Sequence, residues 1–148
     1  MDLDPSETVY SLWIGTNDLG GGAYLSDEHL PGFTLADYNN CVFEQIKTLY
    51  KEAGARYFIL PNNVPLEKSP LYTDGSTPGS VYITDSRFWA QKSAQFGGNG
   101  TKIAEKIKTE VLTTNQVQKY RAIVTILSDE LPGASIALYG MSLLSWNL

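Results

Sequence analysis

The feature that most constrains this chain is an apolar run that stops at a polar turn. Residues 9–14 (Val-Tyr-Ser-Leu-Trp-Ile) are followed at once by Gly15-Thr16-Asn17-Asp18. Near-continuous apolarity over so short a stretch suits a strand covered on both faces, as in a parallel sheet. A strand that ends in such a turn delivers polar side chains to the rim of an α/β sheet. In open α/β sheets that rim, beyond the carboxyl ends of the strands, is where ligands sit.

The rest of the sequence repeats this grammar. Thr34-Leu35-Ala36-Asp37 has the form of a capping box. Leu35, Tyr38, Val42, Ile46, Leu49 and Ala53 then recur at helical spacing, with Gly54 where a helix would end. Residues 56–60 (Arg-Tyr-Phe-Ile-Leu) read as a second strand ending at Pro61-Asn62-Asn63. Strand, helix, strand in this order is a right-handed crossover with a parallel sheet. A long irregular stretch over 65–98 carries prolines, glycines and the aromatics Tyr72, Tyr82, Phe88 and Trp89. Stretches of this length without regular structure are usually functional or mobile. A helix is predicted over 102–130, with Ile103, Ile107, Val111, Val117, Tyr120, Val124, Leu127 and Leu131 as its apolar face. Pro132-Gly133 stops it, residues 134–139 form a third strand, and residues 142–148 open a further helix.

Composition excludes several function classes. The 148 residues suffice for one domain with a core. A net charge of −5 argues against a nucleic-acid binder and against docking on anionic lipid. No apolar run has membrane-spanning length, and Met1-Asp2-Leu3-Asp4-Pro5 is not a signal peptide. One His and one Cys, without clustered carboxylates, give no metal-ligand spacing, and no phosphate-binding glycine loop follows a strand. No cofactor or metal is expected. Cys41 reads as a small buried or half-buried residue. Asn99-Gly100-Thr101 is a glycosylation sequon, usable only in a secreted protein.

Three segments meet at the carboxyl ends of the predicted strands: residues 15–19, 62–65 and 140–143. Asn17 is the best-placed polar side chain there. Its amide can donate to a developing negative charge, or it can simply shape the turn with Asp18. His29, in Asp27-Glu28-His29-Leu30-Pro31, reads as a surface loop residue. A Gly-x-Ser-x-Gly nucleophile elbow is absent.

At Ile14-Gly15-Thr16-Asn17-Asp18 the chain resembles the third conserved block of the GDSL, or SGNH, hydrolases, and in particular the fungal acetylesterases of carbohydrate esterase family 16. Three further stretches are similar in the same order. The first is Gly54-Ala55-Arg56-Tyr57-Phe58-Ile59-Leu60 with Asn63-Val64-Pro65-Leu66 and Ser69-Pro70-Leu71-Tyr72. The second is Asn115-Gln116-Val117-Gln118-Lys119-Tyr120-Arg121. The third is Leu131-Pro132-Gly133-Ala134-Ser135-Ile136-Ala137. The resemblance implies an α/β, three-layer flavodoxin-like SGNH hydrolase fold, present in part, with about three parallel strands and flanking helices. It implies serine-dependent hydrolysis of a small ester or an acetylated carbohydrate, an extracellular setting, and Asn17 as an oxyanion-hole donor. Asn62, Asn63, Tyr72 and Trp89 are the candidate substrate contacts. The family's Gly-Asp-Ser nucleophile block and Asp-x-x-His block occur nowhere in the sequence. The expectation is therefore a partial domain, 1–148, cut at both ends, with its first strand open along one edge and no catalysis of its own. Two alternatives remain: a non-catalytic carbohydrate-binding domain using the aromatic loop, and an unrelated hydrolase using His29 and a loop serine.

Overall fold

The computed structural model describes residues 3–72 and 96–141. The protein is α/β, with a parallel sheet of three strands flanked by helices, consistent with part of a flavodoxin-like fold. Strand β1 (Val9–Ser11) leads into a single helical turn, α1 (Thr16–Leu19). Then come α2 (Leu35–Glu52), β2 (Tyr57–Pro61), a 3-10 turn (Leu66–Lys68), α3 (Gly100–Leu127) and β3 (Ser135–Tyr139). The chain divides into two compact units. One comprises residues 3–14, 34–62 and 114–141 and holds the whole sheet. The other comprises 15–33, 63–72 and 96–113.

In the first unit β2 is central. It pairs in parallel with β1 on one side (Tyr10 opposite Phe58) and with β3 on the other (Phe58 opposite Ile136). Leu12 N–H donates to the Ile59 carbonyl at 3.0 Å, extending the first ladder past Ser11. Both connections are crossovers in the same direction across the sheet. Right-handed crossovers in one direction put their helices on one face, and the exposure of β1 and β2 agrees, although Leu138 on the same face of β3 is 40% exposed. Phe58 and Leu60 are buried and Tyr10 and Ile136 half-buried, whereas Val9, Tyr57, Ser135, Ala137 and Tyr139 on the opposite face are exposed. Val9 is 55% exposed, so the expectation of a first strand covered on both faces is corrected. Its regular part is also shorter than the apolar run, because Trp13 and Ile14 are exposed beyond the ladder. Among the described residues β1 pairs only with β2.

Helix α2 forms where the sequence places it. Thr34 and Asp37 make the reciprocal capping box: the Thr34 hydroxyl accepts from Asp37 N–H, and the Asp37 carboxylate accepts from Thr34 N–H at 2.8 Å. The Thr34 hydroxyl, which donates to the Asp37 carboxylate at 2.6 Å, and after it the Thr34 N–H hold that carboxyl below its usual pKa. At the other end Gly54 takes φ +71°, which lets the chain turn off the helix, and Ala55 N–H reaches back to the Leu49 carbonyl at 3.2 Å. Tyr38, Val42, Phe43 and Ile46 are buried. Cys41 lies one position off this stripe and is exposed, not buried, because a helix turns 100° per residue. Tyr50 donates to the Pro132 carbonyl at 2.8 Å, and the Arg56 guanidinium lies over its ring at 4.1 Å. Together they tie α2 to the loop before β3.

Helix α3 starts on Asn99, the sequon asparagine, whose side chain accepts from Lys102 N–H at 3.1 Å. It runs unbroken to Leu127. Ile103, Ile107 and Val111 are buried as predicted. Past Val111 the expectation holds only in part: Leu131 is buried and Val117 and Val124 are half-buried, but the fully buried helical positions are others. The buried positions are Thr114, Gln118, Ala122 and Thr125, and Tyr120 and Leu127 point outward. The predicted face drifts around the helix, whereas the real contact stripe stays in phase at steps of three and four. The second unit buries Leu19, Tyr24, Leu25, Leu66 and Tyr72 together with the first half of α3. The expected helix over 142–148 lies outside the described residues.

Phe58 sits at the centre of the sheet, buried and 6.1 Å from the Tyr10 ring. Phe58→Ala is expected to cost about 3–5 kcal/mol of stability in urea denaturation, whereas Val9→Ala on the bare face is expected to cost less than about 1 kcal/mol.

Candidate functional site

The first candidate residue is placed by the backbone. After β1 the chain reaches Gly15, whose φ of +120° only glycine adopts without strain. This glycine starts the one-turn helix α1, closed by Leu19 N–H to the Gly15 carbonyl at 2.9 Å. Asn17 is exposed on that turn, and its own carbonyl accepts from Gly20 N–H at 3.3 Å. The alternatives weighed from sequence thus coincide: Asn17 helps to close a turn through its backbone while its side-chain amide remains exposed.

The turn is held from behind by Tyr72. A Cβ added at Gly20 would lie 2.5 Å from the Tyr72 hydroxyl, so only glycine admits the tyrosine there. Gly21 N–H donates to the same hydroxyl; burial of the ring nevertheless raises the phenol's pKa. Three consecutive glycines after a polar turn are a sequence signal for close backbone approach, but the approaching residue is about fifty positions away and cannot be read from them. Tyr72 is buried, and its hydroxyl meets the Gly20-Gly21 backbone just after the turn that carries Asn17.

The other candidates divide between the units. Asn62, half-buried, stitches the carboxyl ends of two strands. Its N–H donates to the Tyr139 carbonyl at 3.0 Å and its side-chain oxygen accepts from Met141 N–H at 2.7 Å. Asn63 belongs to the second unit and is buried. Trp89 and the loop serines Ser76 and Ser80 lie outside the described residues. His29 stacks on Tyr24, ring centroids 4.3 Å apart, and its buried Nδ1 has no hydrogen-bond partner among the described residues. Nearby, the Ser26 hydroxyl accepts from Gly22 N–H and contacts the Glu28 carboxylate at 3.1 Å. Among the described residues no group of three His, Cys, Asp or Glu side chains could hold a metal, and no helix is long and apolar enough to cross a membrane.

One ionisable cluster in the second unit escaped the sequence reading. The Lys106 ammonium lies 2.9 Å from Asp27 and 3.9 Å from Glu110. Burial pushes the Glu110 carboxyl up to about 7, against the pull of Lys106 and with a small further push from Asp27. No motif marks it, because the pair Asp27–Lys106 joins residues far apart in sequence.

With this geometry established, similarity narrows the class. No protein-family model matches the chain. Over 135 residues, 90% of this chain, it is 32% identical to an acetylesterase of Hypocrea jecorina. The chain spans about 37% of the length of that relative. The match relates this chain to an ester hydrolase.

Two outcomes test the local architecture. Gly20→Ala is expected to destabilise the fold by about 1–3 kcal/mol through overpacking. Combined with Tyr72→Phe, which removes the clashing oxygen, its cost is expected to shrink measurably in a double-mutant cycle by denaturation. For Glu110 the folded pKa lies above the unfolded one. Its neutral form therefore favours folding below about pH 4.5, and that contribution is lost as pH rises through about 7. Melting temperature should fall across this window in the wild type, and Glu110→Gln should flatten the fall.

Proposed function

We propose that this chain is the portion of an SGNH-type acetylesterase that carries the third conserved block, with acetylated carbohydrate as substrate. Asn17 serves as a side-chain donor of the oxyanion hole. The observation that carries this reading is Asn17 itself: an exposed amide on a glycine-initiated turn after a parallel strand, backed by Tyr72. The acetylesterase relative supports an ester as substrate.

The chemistry assigned to the site is acyl transfer through a serine. The serine oxygen attacks the acetyl carbonyl carbon, and the carbonyl electrons move onto oxygen. The Asn17 amide N–H donates to that oxyanion more strongly than to the ground-state carbonyl, which lowers the barrier. Collapse expels the sugar alcohol, which takes the proton the base removed from serine; water then releases acetate and restores the serine. A donor preorganised on a fixed turn needs no rearrangement when charge develops. The nucleophile and the Asp-x-x-His base are not among these 148 residues. On this reading the chain alone turns over no ester, because an oxyanion donor without a nucleophile has no tetrahedral intermediate to stabilise.

The purified chain is expected to hydrolyse p-nitrophenyl acetate no faster than buffer; turnover that survives repurification and disappears with Asn17→Ala would refute its lone inactivity. A chimera tests the assignment of Asn17. With residues 9–139 of this chain replacing the matching stretch of the Hypocrea jecorina acetylesterase, deacetylation is expected, and Asn17→Ala in that chimera is expected to lower kcat by about 10²–10³. An active chimera indifferent to Asn17→Ala would remove the oxyanion role.

A further inference from the structure

The C-terminal half of α3 is inside out. Its inward positions are mostly polar: beside Ala122, Thr114, Gln118 and Thr125 are buried, and the hydroxyls of both threonines and both side-chain polar atoms of Gln118 have no partner among the described residues. Its outward positions are apolar: Tyr120 is 66% exposed, Ile123 47% and Leu127 80%, with Ile126 beside them. Spacings of three, four and seven put these four on one helix face. The helix does not simply roll to exchange the faces, because Arg121 is engaged on the inner side, its guanidinium 5.5 Å from the Phe43 ring on α2. The Lys47–Glu130 pair, 3.1 Å, anchors the chain just beyond the helix end. An exposed apolar stripe held in place in this way is a contact surface rather than a misplaced core.

We infer that this face binds a second copy of the same chain, as an antiparallel pair of α3 helices centred near Ile123. Charge selects the occupant and the direction. The stripe is flanked by Lys119 on its N-terminal side and by Asp129 just past its C-terminal end; both are exposed, and neither makes an ion pair among the described residues. About a two-fold axis near Ile123, Lys119 of each copy approaches Asp129 of the other, and Tyr120 packs against Ile126 and Leu127. A parallel pair would set Lys119 against Lys119 and Asp129 against Asp129. Self-complementarity of this kind is what an isologous interface requires. A contact of four apolar side chains per copy is at the small end of specific interfaces, so the dimer is expected at a Kd on the order of micromolar to tens of micromolar.

Sedimentation velocity and light scattering on the whole chain, across that concentration range, test this. A reversible monomer–dimer equilibrium is expected. Ile123→Lys and Leu127→Lys should each weaken it by about tenfold or more with an unchanged circular dichroism spectrum. The surface variant Lys119→Glu should weaken it at low salt, and the exchange Lys119→Glu with Asp129→Lys should restore it, an outcome a merely structural effect would not give. A chain that stays monomeric throughout overturns the inference. So does a dimer that survives Ile123→Lys and is abolished by Tyr57→Lys, which would move the contact to the bare face of the sheet.

Discussion

The parallel ladder on both sides of β2 is the constraint on which the sheet-bearing unit depends. β2 is the only described strand with partners along both edges, and its backbone groups are satisfied only if β1 and β3 hold register. Parallel pairing forbids a tight turn between neighbours, so each connection must climb over the sheet through a helix. Two crossovers in the same direction, if both follow the right-handed rule, put their helices on one face, and the exposure of the strands fits that arrangement. The buried Phe58 and Leu60 and the exposed Tyr57 and Tyr139 follow from that handedness rather than from their own hydrophobicity.

The candidate oxyanion donor depends on a different device. Asn17 owes its exposure to a glycine able to take a left-handed φ before it and to glycines behind it that let a tyrosine approach. Among the described residues the turn that carries Asn17 is held by backbone hydrogen bonds, not by bonds to the Asn17 side chain. The glycines also explain why Tyr72, an aromatic that a sequence reading assigns to substrate, is buried: in this structure its hydroxyl meets the Gly20-Gly21 backbone.

Helix α3 shows how far one helix can serve two surroundings. Its first half packs Ile103, Ile107 and Val111 inward in the ordinary way. Its second half turns threonines and a glutamine inward and isoleucines outward. Burying unpartnered hydroxyls and an amide costs free energy, and exposing Tyr120, Ile123 and Leu127 forgoes hydrophobic stabilisation. A helix with both features gains from a partner on its outer side, and contact between two copies supplies one.

The sequence by itself determined the order of strands and helices, the parallel character of the sheet, and the ends of α2. Each of these is local chemistry: an apolar run before a Gly-Thr-Asn-Asp turn, a Thr34–Asp37 capping box, a glycine at position 54. It also singled out Asn17, because the turn that ends the first strand is contiguous in the chain. Tertiary structure alone decided that one face of the sheet is exposed among the described residues and that Cys41 is exposed. It likewise decided that α3 changes the chemistry of its buried stripe after Val111, that Tyr72 meets the Gly20-Gly21 backbone, and that Glu110 is half-buried beside Lys106. The physical reason is common to all five. Periodicity reports which positions share a side of an element, but not what stands on that side; that is set by neighbours brought together from distant parts of the chain.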